Sequence, residues 1–333
     1  MKKIKVGIIG LGVGEKHIEG YNSHPQCEVA VLCDFDKQKI MQMKQKYPNL
    51  KIANDANEVI DAKDVDIISI ASYDNYHYEQ AARAIQNNKH VFIEKPVCIY
   101  EKEAIDLKKT LDKKRNIHLS SNLILRMCPR FIFLKKMIDN DEMGSLYCIE
   151  GDYNYGRLSK ITEGWRSKID FYSVVYGGGV HIVDLLMWFA GSRIKEVCAY
   201  SNKIVSKNTG FRYDDMVTSI FNFENGIIGK LGVNFGCVFP HFHNISVYGT
   251  KATFINGLDN GMLFEKRENR DYRKIDEAYP GVQKGDLIYN FIDSILNDAV
   301  QIVTSKDVFD VMSVCFAIEK AKKKNCAVKV KYL

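Results

Sequence analysis

The first 122 residues alternate short β-type runs with helically spaced segments. The runs are Ile4–Ile9, Val29–Cys33, Asp66–Ala71, Val91–Ile93 and a last one near His118–Asn122. Between them, helical spacing covers Glu15–Tyr21, a stretch reaching about Gln86, and Glu101–Lys114. Near-continuous apolar runs suit strands covered on both faces, and parallel neighbours need helical crossovers, so the pattern predicts a doubly wound parallel sheet. After a helix near Pro129–Ile138, Gly144-Ser145 opens a different regime. Val217–Phe223 and Ile227–Phe235 flank Glu224-Asn225-Gly226, a strong hairpin signal. Ile227, Leu231, Val233 and Phe235 share one face, opposite Ile228, Lys230 and Asn234. With Tyr147–Tyr155, Ile194–Val205, Asn244–Tyr248 and Thr250–Ile255, this predicts a mostly antiparallel sheet with one face on a core. Helices over 286–296 and 308–322 complete an α/β chain with an expected first domain at 1–122 and an α+β domain at 123–333.

One helix stands apart. Gly177-Gly178-Gly179 precedes Val180–Phe189, and Gly191 can stop it. His181, Asp184, Leu185 and Trp188 lie on one stripe, yet the other faces are also apolar, which predicts a buried helix. A histidine and an aspartate in one turn of such a helix could present a general base and a hydrogen-bonding acid to a ligand. The competing reading is a core histidine satisfied by Asp184.

Composition narrows the class. The 333 residues, 46% hydrophobic and 26% charged, suffice for two cored domains, and the net charge of +6 is too small and scattered for a nucleic-acid footprint. Nine dispersed cysteines without a Cys-x-x-Cys pair read as reduced thiols, with neither a disulfide frame nor a metal site. No signal peptide and no apolar run near the roughly 18 residues of a membrane span are evident. The expectation is a cytoplasmic protein that acts on a small molecule.

Candidate chemistry collects at strand ends. Gly10-Leu11-Gly12-Val13-Gly14 lies between a strand and a helix, where backbone N–H groups and the helix amino terminus can hold a pyrophosphate. Its third glycine comes one position earlier than in Gly-x-Gly-x-x-Gly, so a tight turn without ligand stays open. Asp34, about 20 residues on, sits where an acid accepts from adenosine ribose hydroxyls. That favours NAD over NADP, with Lys37 and Lys39 nearby; alternatively Asp34 caps the next helix. Ser72 and Lys95, the latter in His90-Val-Phe-Ile-Glu-Lys-Pro96, end strands on the same rim.

Taken together, these residues resemble the Gfo/Idh/MocA family of oxidoreductases. The resemblance runs through the glycine turn with His17, Asp34, Asn75 to His77, Asn88-Lys89-His90, Glu94-Lys95-Pro96, Trp165-Arg166, and the triple glycine with His181, Asp184 and Trp188. It implies a Rossmann domain, then an α+β domain with a large open sheet used for homodimer or homotetramer assembly, and a cis Lys95–Pro96 bond. It also implies NAD-dependent hydride transfer to or from a hydroxyl of a sugar, nucleotide-sugar or cyclitol. Lys95 and His181 are the expected catalytic pair. Gly10, Gly12, Val13, Gly14, Asp34, Ser72, Asn75, His77, Glu94, Lys95 and Arg166 are expected at the cofactor. Arg126, Tyr155 and Asp184 join Lys95 and His181 at the substrate. Many members carry an aspartate four residues before the histidine; Gly177 stands there, leaving Asp170, Tyr172 or Tyr176 as replacements. A non-catalytic NAD-binding regulator, or an enzyme recycling tightly bound NAD for glycoside cleavage or sugar transfer, stays open.

Overall fold

The computed structural model describes residues 3–268 and 270–333. The chain forms two compact units. One comprises the residues through Ile124 together with Gln283–Phe309 and Leu333, the other Leu125–Val282 and Asp310–Tyr332.

The first unit holds six parallel strands: β1 (Ile4–Ile9), β2 (Cys27–Cys33), β3 (Lys51–Ile52), β4 (Ile67–Ile70), β5 (His90–Ile93) and β6 (Leu119–Ser121), ordered β3-β2-β1-β4-β5-β6. Helices α1 (Gly14–Asn22), α2 (Lys37–Lys46), α3 (Ala56–Asp61), α4 (His77–Gln86) and α5 (Glu101–Asp112) cross between them. The order reverses between β1 and β4, and ligands of such sheets bind at the carboxyl ends beside that reversal. The Asp36 side chain caps α2, accepting from the N–H groups of Gln38 and Lys39. Asp34 is therefore released from the capping role that sequence left open for it.

Residues 283–309 pack with this first unit, whereas the expected boundary assigned everything after residue 122 to the second. The cause is local. Gly20 in α1 and Gly285 meet so closely that a Cβ on Gly20 would lie 2.8 Å from the Gly285 carbonyl oxygen. Phe291, on the helix Asp286–Leu296, packs its ring 5.5 Å from that of Phe92 in β5, and Ser120 Oγ donates to the Val303 carbonyl at 2.8 Å. Periodicity located this helix, but periodicity carries no information about which sheet a helix covers.

The second unit holds β7 (Leu146–Asn154), β8 (Ile194–Asn202), β9 (Met216–Phe223), β10 (Ile228–Asn234), β11 (Phe242–Gly249), β12 (Thr253–Asn256), β13 (Gly261–Phe264), β14 (Arg273–Ile275) and β15 (Val328–Lys329). Their order is β14-β13-β12-β11-β7-β10-β9-β8-β15. Pairing is antiparallel except between β7 and β10, which run parallel. The β9–β10 hairpin turns at Glu224–Gly226 with Gly226 at φ +87°, and Ile227, Leu231, Val233 and Phe235 are buried while Ile228 is exposed, the predicted division of faces. Helices α6 (Pro129–Asp139), α7 (Ser159–Thr162) and α8 (Val180–Ala190) belong here. α8 lies on β7, where Gly151 leaves room for Ile182, and ends at Gly191 in the left-handed conformation. Among the described residues, no helix is long and apolar enough to cross a membrane.

Phe291→Ala should cost about 3–5 kcal/mol, because it empties a filled aromatic site in the first unit. Urea unfolding at neutral pH measures it, and a loss below about 1 kcal/mol would show that the helix is not part of that core.

Candidate functional site

At the end of β1, Gly10 adopts φ +86°, and a Cβ there would sit 2.5 Å from the Ser72 backbone nitrogen. Only glycine lets the turn after β1 press against the turn after β4. A Cβ on Gly12 would meet no protein atom within 4 Å, so its backbone is open to an approaching group. Gly14 is the first residue of α1, and a Cβ on it would be 2.9 Å from Ile8 Cγ2. The third glycine thus does the helix-to-strand packing one position early. Val13 precedes it and is partly exposed.

Asp34 closes this turn. Its Oδ2 accepts from the Leu11 N–H at 2.5 Å and its Oδ1 from the Asp36 N–H at 2.8 Å, which fixes a nearly buried carboxylate beside the glycines. Lys39 and Lys46 both turn to Glu15, at 2.6 and 3.0 Å, and these bonds hold the Glu15 carboxyl below its ordinary range, that from Lys39 contributing most. The cradle fits a dinucleotide: open backbone, a helix amino terminus and a fixed carboxylate where a ribose would lie.

Ser72 Oγ donates to Gln80 Oε1 at 2.7 Å, and Asn75 stands exposed in the 3-10 turn Asp74–Tyr76. His77, also expected at the cofactor, is buried: Nδ1 lies 2.6 Å from the Pro96 carbonyl oxygen and Nε2 3.1 Å from that of Ser72. It ties two rim loops together. The Lys95–Pro96 bond is cis.

Beneath Lys95, Glu94 is buried in a network that sequence did not assemble. Its Oε1 accepts from Asn122 Nδ2 at 2.7 Å and faces His17 Nε2 at 3.3 Å; His17 Nδ1 meets Ser69 Oγ at 3.0 Å. Asn122 Nδ2 also lies 3.0 Å from the Lys284 carbonyl oxygen. Burial opposes the Glu94 charge, but the Lys284 ammonium, the His17 hydrogen bond and Lys95 outweigh it and hold the carboxyl well below 4.5.

In the second unit, Val175–Gly179 forms a π-helical turn that runs into α8. Its glycines are required by contact. A Cβ on Gly178 would sit 2.6 Å from Tyr153 Cδ1, one on Gly179 2.7 Å from Val233 Cγ2, and one on Gly177 2.7 Å from Tyr172 Cζ and closer still to its hydroxyl. His181 is buried, and its ring stacks on Tyr153 with centroids 6.3 Å apart and 17° between planes. Asp184, fully buried, is gripped by Arg126: Nε reaches Oδ1 at 3.1 Å and Oδ2 at 3.0 Å, and an NH2 group reaches Oδ1 at 2.6 Å. Two residues expected at the substrate therefore hold one another.

Tyr155 continues the aromatic group, with Phe235 at 4.7 Å, His241 at 5.1 Å and the Arg157 guanidinium 5.5 Å from its ring centre. Arg166 lies 4.6 Å from the Trp165 ring and 5.9 Å from that of Tyr172. Asp170 offers its carbonyl to the Tyr213 hydroxyl, and Tyr176 packs against Phe316. Tyr153, Phe235, His241 and His243 were missed in sequence. The Tyr153 and Tyr155 pair, two apart on one strand, and the His241 and His243 pair carried the available signal.

A parallel sheet with a dinucleotide cradle, joined in sequence to an α+β unit with a buried, histidine-bearing helix, defines a two-domain NAD-binding oxidoreductase. The family model described as oxidoreductase family, NAD-binding Rossmann fold, matches residues 4–122, and that for the GFO/IDH/MocA C-terminal domain matches residues 131–255. The chain belongs to the Gfo/Idh/MocA family. It is 24% identical over 259 residues to myo-inositol 2-dehydrogenase of Thermotoga maritima, covering 75% of this chain and 74% of that protein. Among solved structures, levoglucosan dehydrogenase in complex with NADH superposes with a TM-score of 0.86 at 19% identity over 100% of both chains. Myo-inositol 2-dehydrogenase from Lactobacillus plantarum gives 0.85 at 17% identity, over 99% of this chain and 100% of that one. These two likenesses concern the fold.

Two measurements probe the buried charges. Because the Glu94 carboxyl is depressed when folded, its stabilisation is complete above the unfolded value of 4.5 and is lost as pH falls through the folded value. Glu94→Gln should lower stability at pH 7 by about 1–3 kcal/mol, with the gap to wild type narrowing below pH 4.5; a gap constant with pH would refute the assignment. Arg126→Met and Asp184→Asn should each destabilise by about 3–5 kcal/mol. The double variant should cost clearly less than their sum, and strict additivity in a denaturant cycle would count against the pair.

Proposed function

We propose that this protein is a dehydrogenase, preferring NAD to NADP, that interconverts a secondary hydroxyl and a ketone on a sugar, nucleotide-sugar or cyclitol. The observation that carries the reading is the glycine turn closed by Asp34: its carboxylate would accept from ribose hydroxyls and repel a 2′-phosphate, while Lys39 and Lys46 are engaged by Glu15. Gly10, Gly12, Val13 and Gly14 would hold the pyrophosphate, with Ser72, Asn75, Glu94 and Arg166 as further cofactor contacts. The kinship with inositol 2-dehydrogenases, among them that of Thermotoga maritima, supports a polyhydroxylated substrate.

NAD+, when bound, supplies the acceptor for the hydride that leaves the carbinol carbon. His181 takes the hydroxyl proton, becoming imidazolium and later passing the proton to water; imidazole suits that exchange near neutral pH. Lys95 donates a hydrogen bond to the same oxygen as it gains alkoxide character, and it does so as a charged ammonium without transferring its own proton. In the reductive direction His181 returns the proton to the nascent alkoxide. Tyr155 contributes to substrate binding; Arg126 and Asp184 support α8 instead of meeting the ligand. The same reading takes the protein as cytoplasmic and as a homodimer or homotetramer assembled on the sheet face where Tyr200, Ile220 and Ile228 are exposed.

Fluorescence titration of nucleotide-stripped protein should give clear NADH preference over NADPH. Lys95→Ala and His181→Ala should keep NADH affinity within a few-fold while kcat falls by about 10²–10⁴. Folded protein that binds neither nucleotide would end the dinucleotide reading, and full turnover in either variant would remove that residue from its role.

A further inference from the structure

The triple glycine ahead of α8 is costly, since each glycine in a helical segment loses about 1 kcal/mol relative to alanine. Two of the three are explained by carbon packing: Gly178 makes room for Tyr153 and Phe235, and Gly179 for Val233. Gly177 is different. The atom that fills the space a Cβ would take is a phenol oxygen, that of Tyr172, with Cζ just behind it. The sequence accepts a glycine, inside a π-helical turn of the kind that gathers at functional sites, so that a hydroxyl can lie against the helix.

The location of that hydroxyl is specific. Gly177 precedes His181 by four positions, in the π-helical turn that runs directly into the first residues of α8. Tyr172 is buried, its ring edge-on to Trp165 at 6.3 Å, and the Arg166 guanidinium lies 5.9 Å from the ring centre. Tyr172 fills the space at Gly177 and Tyr153 the space at the adjoining Gly178, and Tyr153 stacks on His181. Tyr172, Tyr153, Arg166 and His181 therefore form one cluster in the second unit.

We propose that Tyr172 is a further catalytic residue, its hydroxyl donating a hydrogen bond to the reacting substrate oxygen beside His181, and that Gly177 is glycine to admit it. The inference rests on the dehydrogenase reading above. It makes two chemical claims: the hydroxyl matters and the ring does not, and a side chain at 177 competes with Tyr172 for one volume.

The test uses the full-length protein, NAD+ and a panel of inositols, hexoses, levoglucosan and UDP-sugars, reading NADH formation. Tyr172→Phe should keep its melting temperature and NADH affinity while kcat on the best substrate falls about a hundred-fold with KM changed little. Tyr172→Ala should fall at least as far, and Tyr172→Ala with Gly177→Asp should regain ten-fold or more over Tyr172→Ala, because the carboxyl then occupies the vacated volume. Wild-type turnover with Tyr172→Phe within three-fold of it, or no regain in the double variant, overturns this proposal and leaves the dehydrogenase reading intact. Wild-type protein that forms NADH from no panel member overturns both.

Discussion

The bond from the Leu11 N–H to Asp34 Oδ2 fixes the candidate cofactor site. It joins the turn after β1 to the residue after β2, and the opposite side of that turn is pressed by Gly10 against the Ala71–Ser72 backbone. Three successive positions of the sheet, β2, β1 and β4, are thereby locked at their carboxyl ends with no side chain intervening at Gly10. Two backbone donors fix the orientation of this nearly buried carboxylate beside the turn, where an adenosine ribose would lie. The short spacing of the glycines makes sense in this light. What the turn requires is one glycine for the close approach, one that leaves the backbone open, and one for the helix contact; Gly14 meets the last need as the first residue of α1.

The second unit follows the same rule of backbone proximity with different means. Gly151 admits Ile182, and Gly177, Gly178 and Gly179 admit Tyr172, Tyr153 and Val233. Glycines on both the strand and the helix bring α8 down onto the sheet. Packing at that distance is what puts an aromatic ring flat against His181, and the widened turn before α8 allows the approach without breaking the helix.

Much of this was legible in the residues, for reasons that differ by element. The first sheet was readable because each strand is a compact apolar run followed by a chemically marked turn, and the β9–β10 hairpin because Asn225-Gly226 and the alternation of Ile227 to Phe235 agree. The parallel β7–β10 pair was not, since pairing partners distant in sequence leave no mark on either strand. Strands β13 and β14 are too short for periodicity to register. At the site, the glycines, Asp34, Lys95 and His181 stood out as residue types at strand and helix ends. The network around Glu94 did not, because His17, Ser69, Asn122 and Lys284 are scattered over the chain and meet only when the sheet forms. The Arg126–Asp184 pair was hidden for a related reason: the stripe of Asp184 with His181 is visible in sequence, but its bond to Arg126, 58 residues earlier, is not.

That ion pair bears on how His181 can work. A carboxylate gripped by both the Nε and an NH2 group of one guanidinium has much of its accepting capacity committed, and the same charge pair lies one helical turn from the imidazole. Tyr153 meets the face of that imidazole, so ring packing contributes to its orientation. Arg126 holds Asp184, one turn after His181, while the close contacts at Gly151, Gly178 and Gly179 seat the same helix on the sheet, so the position of the imidazole follows from a charge pair and from glycine packing together.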